Sequence, residues 1–131
     1  MIALDTNILV RFIVQDDPIQ CRQSDELMAT LSPSEPGWIS IAVIMELVWV
    51  LTRIYKLDQP QMVQILARLL DRNEFDFQHH ATLRKALEIY RTQNMDFDDC
   101  LIAESGRAAG CIKTLTFDKK AASRAGMQLI E

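Results

Sequence analysis

The chain has 131 residues, 49% hydrophobic and 24% charged, with few glycines and prolines, which describes one folded domain, residues 1–131, with a core of its own. Its net charge of −4, from 14 basic and 18 acidic side chains, argues against a passive nucleic-acid binder held on by a basic excess. Cys21, Cys100 and Cys111 are odd in number and lack metal-ligand spacing, which excludes a disulfide framework and fits reduced thiols in a cytoplasm.

The first segment, "MIAL", reads as a short buried strand, and Met1 runs into it without the features of a signal peptide. "DTNILVRFIVQ" then opens on cap-type residues and continues with helical spacing at Ile8, Leu9, Phe12 and Ile13. "DDPIQCRQSDELMATL" predicts a helix with Asp17 as N-cap, Pro18 at the first helical position and an apolar stripe at Cys21, Leu27, Met28 and Leu31. After the turn-rich "SPSEPG", "WIS" reads as a strand and "IAVIMELVWVLTRIY" as a strongly apolar helix, too short in its uncharged run to cross a bilayer.

"DQPQMVQILARLLDRN" repeats the cap-then-proline start, with Met62, Val63, Leu66, Leu69 and Leu70 on one face. "FDF" is a strand, and "HHATLRKALEIYRTQ" a helix with Leu83, Ala86, Leu87 and Tyr90 inward. The adjacent His79 and His80 point in different directions and do not suit a zinc site. "DFDDCLIAESGRAAG" predicts a helix ending near Gly106 or Gly110, "IKTLTF" a strand, "DKKAASRAG" a short helix stopped by Gly126, and "MQLI" a last strand. Short apolar strands alternating with helices indicate an α/β domain with a mostly parallel sheet covered on both faces. In such sheets ligands bind beyond the carboxyl ends of the strands.

Four acids occupy suggestive places. Asp5 follows the first strand, where it also suits a helix N-cap. Glu46 is the only charged residue between Ile39 and Thr52; a buried carboxylate there costs several kcal/mol unless paired or on a metal, while a thin polar stripe with Ala42 and Arg53 would leave it in water. Asp118 ends "TLTFD", with Thr116 two residues back on the same side of the strand. In "NMDFDDCLIAE", Asp96 and Asp98 fit a crowded N-cap, whereas Asp99 shares a face with Ile102, Ala103 and Gly106, the side expected to pack inward. Carboxylates 4 Å apart repel by about 1 kcal/mol in water and about 4 kcal/mol at an effective dielectric of 20. A cluster of such acids therefore calls for a hard divalent cation, Mg²⁺ or Mn²⁺, and metal-assisted phosphodiester cleavage is the chemistry that most often uses one. With four acids committed to a metal, the remaining acids balance the bases, so a nucleic-acid substrate is compatible with the charge.

The ordered set "MIALDTN", Glu46 in the helix after "WIS", "DDCLIAE" and "TLTFDKK" resembles the PIN-domain family, and within it the VapC-like ribonuclease toxins of toxin–antitoxin pairs. The resemblance covers residues 2 to 130. It implies a three-layer domain around a parallel five-stranded sheet of order 3-2-1-4-5, with the strands ending in Asp5 and Asp118 side by side. It assigns Asp5, Glu46, Asp99 and Asp118 as the four acids. Asp5 and Asp99 would be the most direct metal ligands, with Glu46 and Asp118 completing the shell or orienting water. Asn7 and Thr116 match its supporting polar positions, and Asp96 a secondary acid, while Asp98 matches nothing essential. Cys100 and Glu104 depart from the family pattern without removing a ligand.

The activity implied is Mg²⁺- or Mn²⁺-dependent cleavage of single-stranded or tRNA-like RNA to 3′-hydroxyl and 5′-phosphate ends. Arg11, Arg53, Lys119 and Lys120 are candidates to grip phosphate. The partners implied are a small VapB-like antitoxin and, from the helix at Ile41–Leu51 being apolar almost all round, a second copy of the chain. A non-catalytic PIN-like binding module is the main alternative. A phosphatase using Asp5 lacks the acid expected two residues on, where Asn7 stands, and a structure-specific DNA nuclease would be longer.

Overall fold

The computed structural model describes residues 1–130. Five strands and seven helices follow one another as β1 (Ile2–Ala3), α1 (Thr6–Ile13), α2 (Pro18–Thr30), β2 (Gly37–Ile39), α3 (Ile41–Arg53), α4 (Gln59–Leu70), β3 (Phe75–Phe77), α5 (His80–Thr92), α6 (Phe97–Ala108), β4 (Leu115–Thr116), α7 (Lys119–Arg124) and β5 (Gln128–Leu129). The chain divides into two compact units, one of Met1–Asp58 with Arg68–Gln78, the other of Gln59–Ala67 with the chain from His79 onward. Among the described residues no helix is long and apolar enough to cross a membrane.

The first unit is built on a parallel sheet of order β1-β2-β3, in which Ala3 pairs with Trp38 and Ile39 with Phe77. Gly37 lets Leu4 and Leu31 pack closely on β2: a Cβ there would lie 2.7 Å from the Leu4 side chain and 3.0 Å from that of Leu31, so those side chains would have to shift. Helix α1 packs on α2 and α3, and Leu9, Val10, Ile39, Ile44, Leu47 and Leu51 are buried. Asp17 caps α2 as its sequence predicts, accepting from the amides of Ile19 and Gln20, with Pro18 beginning the helix. Arg72 lies over the rings of Phe12 and Phe75 at 4.9 and 5.8 Å.

The second unit holds the parallel pair β4-β5, with Leu115 opposite Gln128 and Thr116 opposite Leu129. Helix α5 packs along α6, with Leu83, Ala86, Leu87 and Tyr90 buried as expected and Tyr90 edge-on to Phe97 at 5.5 Å. Gly110 and Gly126 end α6 and α7 at φ of +90° and +75°, a conformation that glycine adopts without strain.

The single five-stranded sheet of order 3-2-1-4-5 is not formed among the described residues: the strands make a three-stranded and a two-stranded parallel sheet. The orders 3-2-1 and 4-5 are as expected, and the β1–β4 pairing is missing. Both strands are only two residues long, which leaves little ladder to pair. The run "IKTLTF" contributes only Leu115 and Thr116, and its first residue, Ile112, is 97% exposed.

Candidate metal centre

The first unit positions Asp5, Asn7 and Glu46. Leu4 is buried, and its amide donates to Trp38 O at 2.9 Å, so the chain leaves the sheet at Asp5. Asp5 is the N-cap of α1; its Oδ1 accepts from the Thr6 amide at 2.8 Å, and its other oxygen has no hydrogen bond among the described residues. Asp5 and Asn7 are both exposed. Between them Thr6 is buried to 3%, with a hydroxyl that finds no partner, an orphan of the kind that costs about 1–3 kcal/mol when left unsatisfied. Helix α3, begun by the Ser40 cap and by Gln78 accepting from the Ile41 amide, carries Glu46.

Glu46 is exposed, on a stripe with Ala42, Trp49 and Arg53. Water therefore solvates the carboxylate rather than leaving it buried among apolar residues, and Glu46 stays a candidate through the resemblance alone. The acid that is buried is Glu104, 7% exposed. It is neutralised by Arg107 one turn on, whose guanidinium also donates to Ala125 O at 3.2 Å, so it adds no free charge to the site.

The second unit gathers the other acids. Asp96 is the N-cap of α6, although its side chain makes no cap bond. Asp98 and Asp99 follow in the first helical turn. Oxygens of Asp96, Asp98 and Asp99 all lie within 4.8 Å of one another. Asp98, which the sequence reading set aside, belongs to this group and accepts from the Asp99 amide at 2.8 Å. A helix's first turn does this by geometry, since the N-cap and third helical positions face each other and the second adjoins both.

The Asp99 carboxyl is pushed above its ordinary value, first by desolvation, then by the charges of Asp98, Asp118 and Asp96, with only Lys120 opposing. Asp118 thus adds its field to the same group. It caps α7, with Oδ1 accepting from Lys120 and Ala121 amides at 2.8 and 3.2 Å, and its own amide donates to Thr116 Oγ1 at 3.0 Å. Its second oxygen has no hydrogen bond among the described residues. Thr116 therefore orients the Asp118 turn through the backbone.

The expected inward face of α6 is only partly as read. Ala103 is buried, Gly106 lies close enough to Thr114 that a Cβ would come within 2.9 Å of its hydroxyl, but Ile102 is 48% exposed. Cys100 is fully buried, and burial with the charge of Asp99 raises its thiol to about 11; it stays protonated and is no nucleophile. Of the bases suggested for phosphate, Arg11 is engaged by Gln20, Asp16 and Tyr55, whereas Arg53, Lys119 and Lys120 are exposed.

Hard oxygen donors at this spacing suit Mg²⁺ or Mn²⁺ rather than a softer ion, and beside its desolvation the Asp99 carboxyl is raised by the charges of Asp98, Asp118 and Asp96, which a bound cation would offset. A VapC ribonuclease of Aquifex aeolicus (strain VF5) is 23% identical over 121 residues, covering 92% of this chain and 89% of that protein. The PIN domain pattern matches residues 2–127, and the chain belongs to the PIN-domain family.

Proposed function

We propose that this protein is a metal-dependent endoribonuclease that hydrolyses phosphodiester bonds of single-stranded or tRNA-like RNA. The observation that carries the reading is the group of Asp96, Asp98 and Asp99, within 4.8 Å of one another and under the added charge of Asp118, in a chain of the PIN-domain family with a VapC ribonuclease among its relatives. Asp5 and Asp99 are assigned as metal ligands, Glu46 and Asp118 as further ligands or water-orienting groups, and Asn7, Thr116 and Asp96 as supporting residues.

Mg²⁺ or Mn²⁺ would supply charge neutralisation on the phosphate oxygens and acidify the attacking water. The chain's part is to hold acceptors ready. In Asp5 and Asp118 one carboxylate oxygen is fixed by backbone amides and the other is left without a hydrogen bond among the described residues. Such a carboxylate keeps its direction and loses little entropy on binding. Water attacks phosphorus in line with the leaving 3′-oxygen, that P–O bond breaks, and the products are a 3′-hydroxyl and a 5′-phosphate.

The partners assigned to it are a VapB-like antitoxin that covers the acid site and a second copy of the chain. Trp49 and Ile54, 56% and 59% exposed on or next to α3, support an interaction along that helix. Mapping the ends of RNA fragments made in the presence of Mn²⁺ tests the reading. The expected ends are 3′-hydroxyl and 5′-phosphate. Cyclic phosphate ends, or cleavage unaffected by a chelator, would refute it.

A further inference from the structure

A nuclease with net charge −4 draws little affinity from counterion release, and Arg11, Arg72, Arg91 and Arg107 are already paired with Asp16, Glu74, Glu88 and Glu104. The strand must be gripped by something besides charge. Phe117 is 82% exposed and immediately precedes Asp118. It takes part in no ring contact among the described residues, unlike Phe75 with Phe77 or Tyr90 with Phe97.

The backbone around this ring is fixed on both sides. Before it, Thr116 O accepts from the Ile130 amide at 2.8 Å, and after it the Asp118 amide donates to Thr116 Oγ1 while Asp118 caps α7. The ring therefore stands on a braced turn, one residue and about 3.8 Å of backbone from the Asp118 Cα. The exposed Lys119 and Lys120 come next in the chain.

We propose that Phe117 is a stacking platform for the base of the nucleotide adjoining the scissile phosphate, which makes an unpaired strand the substrate. The proposal rests on the ribonuclease reading of the neighbouring acids. Every base has a π-face, so such a platform grips without demanding sequence, and base–aromatic stacking is strong enough to matter in a chain of net negative charge. A base inside a duplex is already stacked and cannot lie on the ring.

The test uses the full chain, a short fluorescein-labelled single-stranded RNA of mixed sequence, and the variants Phe117→Ala, Phe117→Tyr and Phe117→Trp. Binding is read by anisotropy in chelator, cleavage separately in Mn²⁺. Phe117→Ala is expected to weaken binding by roughly 5- to 150-fold and to raise KM while leaving kcat within about twofold. Phe117→Tyr should restore wild-type binding, and the added emission of Phe117→Trp should be quenched by RNA.

Removing the base beside the mapped cleavage site should weaken wild-type binding by a similar factor and add nothing further in Phe117→Ala. Wild-type binding without cleavage, lost in Phe117→Ala, would keep the platform and overturn the ribonuclease reading. Cleavage with unchanged binding and KM in Phe117→Ala would overturn the platform alone, including when the ring proves to be a contact for a protein partner. No RNA binding by the wild type would overturn it as well.

Discussion

Replacing Asp99 by Asn removes one charge from the group of Asp96, Asp98 and Asp99 and leaves the shape of the side chain almost unchanged. The three carboxylates lie within 4.8 Å of one another, and at that spacing each pair repels by about 0.9 kcal/mol in water. Asp99 takes part in two of the three pairs, and screening at physiological ionic strength cuts their sum to about 1 kcal/mol. In chelator the Asp99→Asn variant is therefore expected to melt about 3–5 °C above wild type.

The pH dependence has a fixed sign. The Asp99 carboxyl titrates above its ordinary 3.8, so the folded chain binds its proton where the unfolded chain does not. Wild-type stability from this group falls as pH rises from about 3.8 through the raised value, and Asp99→Asn should abolish that part of the slope. Mn²⁺ reverses the order: at one hundred times its dissociation constant it adds about 2.7 kcal/mol to wild type and much less to the variant. Differential scanning fluorimetry in chelator and in Mn²⁺ reads all of this. A variant less stable than wild type in chelator, or equal Mn²⁺ shifts in both, would refute the repulsion argument.

Other expectations follow from the same contacts. Asp118→Asn keeps the α7 cap, since Asn caps as well as Asp, and should lose activity with stability unchanged within about 0.5 kcal/mol; Asp118→Ala should lose both, with about 1 kcal/mol of stability, and equal melting of the two variants would contradict the cap. Arg107→Ala leaves Glu104 buried without its partner and should cost about 1–3 kcal/mol in denaturant titration, more than Glu104→Gln; the reverse order would show the pair to be dispensable. Cys111 is exposed while Cys21 and Cys100 are buried, so a thiol reagent at neutral pH should titrate one thiol quickly and the others only on unfolding. A second fast thiol would contradict the burial of Cys100.

Local chemistry was the most legible part of the fold. Asp17 with Pro18 and glycines 110 and 126 mark helix ends that need only the neighbouring residues to form, and the structure has them; Ser40, expected to end the strand "WIS", is instead the N-cap of α3. Burial was less legible, because it depends on what packs above a residue. Glu46 stands alone among apolar residues in the sequence, yet lies on the open stripe of α3; Glu104, in an ordinary helix, is the buried acid because Arg107 neutralises it. Of the site, the positions of Asp5, Asp96, Asp99 and Asp118 at element starts were readable from cap spacing. Asp98 was set aside, although its place between the N-cap and Asp99 brings it into the same group. The unpartnered Thr6 hydroxyl was not, since a threonine after a capping acid gives no sign of where its hydroxyl ends up.

The assignment of the acids is tested most directly by incubating end-labelled single-stranded RNA with wild type, Asp5→Asn and Asp99→Asn, each with Mn²⁺ and with chelator, after thermal melts show that all three are folded. Cleavage by wild type in Mn²⁺ alone, reduced at least about 100-fold in both variants, is the expected result. Wild-type rates retained in Asp5→Asn and Asp99→Asn, or equal cleavage in chelator, would contradict it.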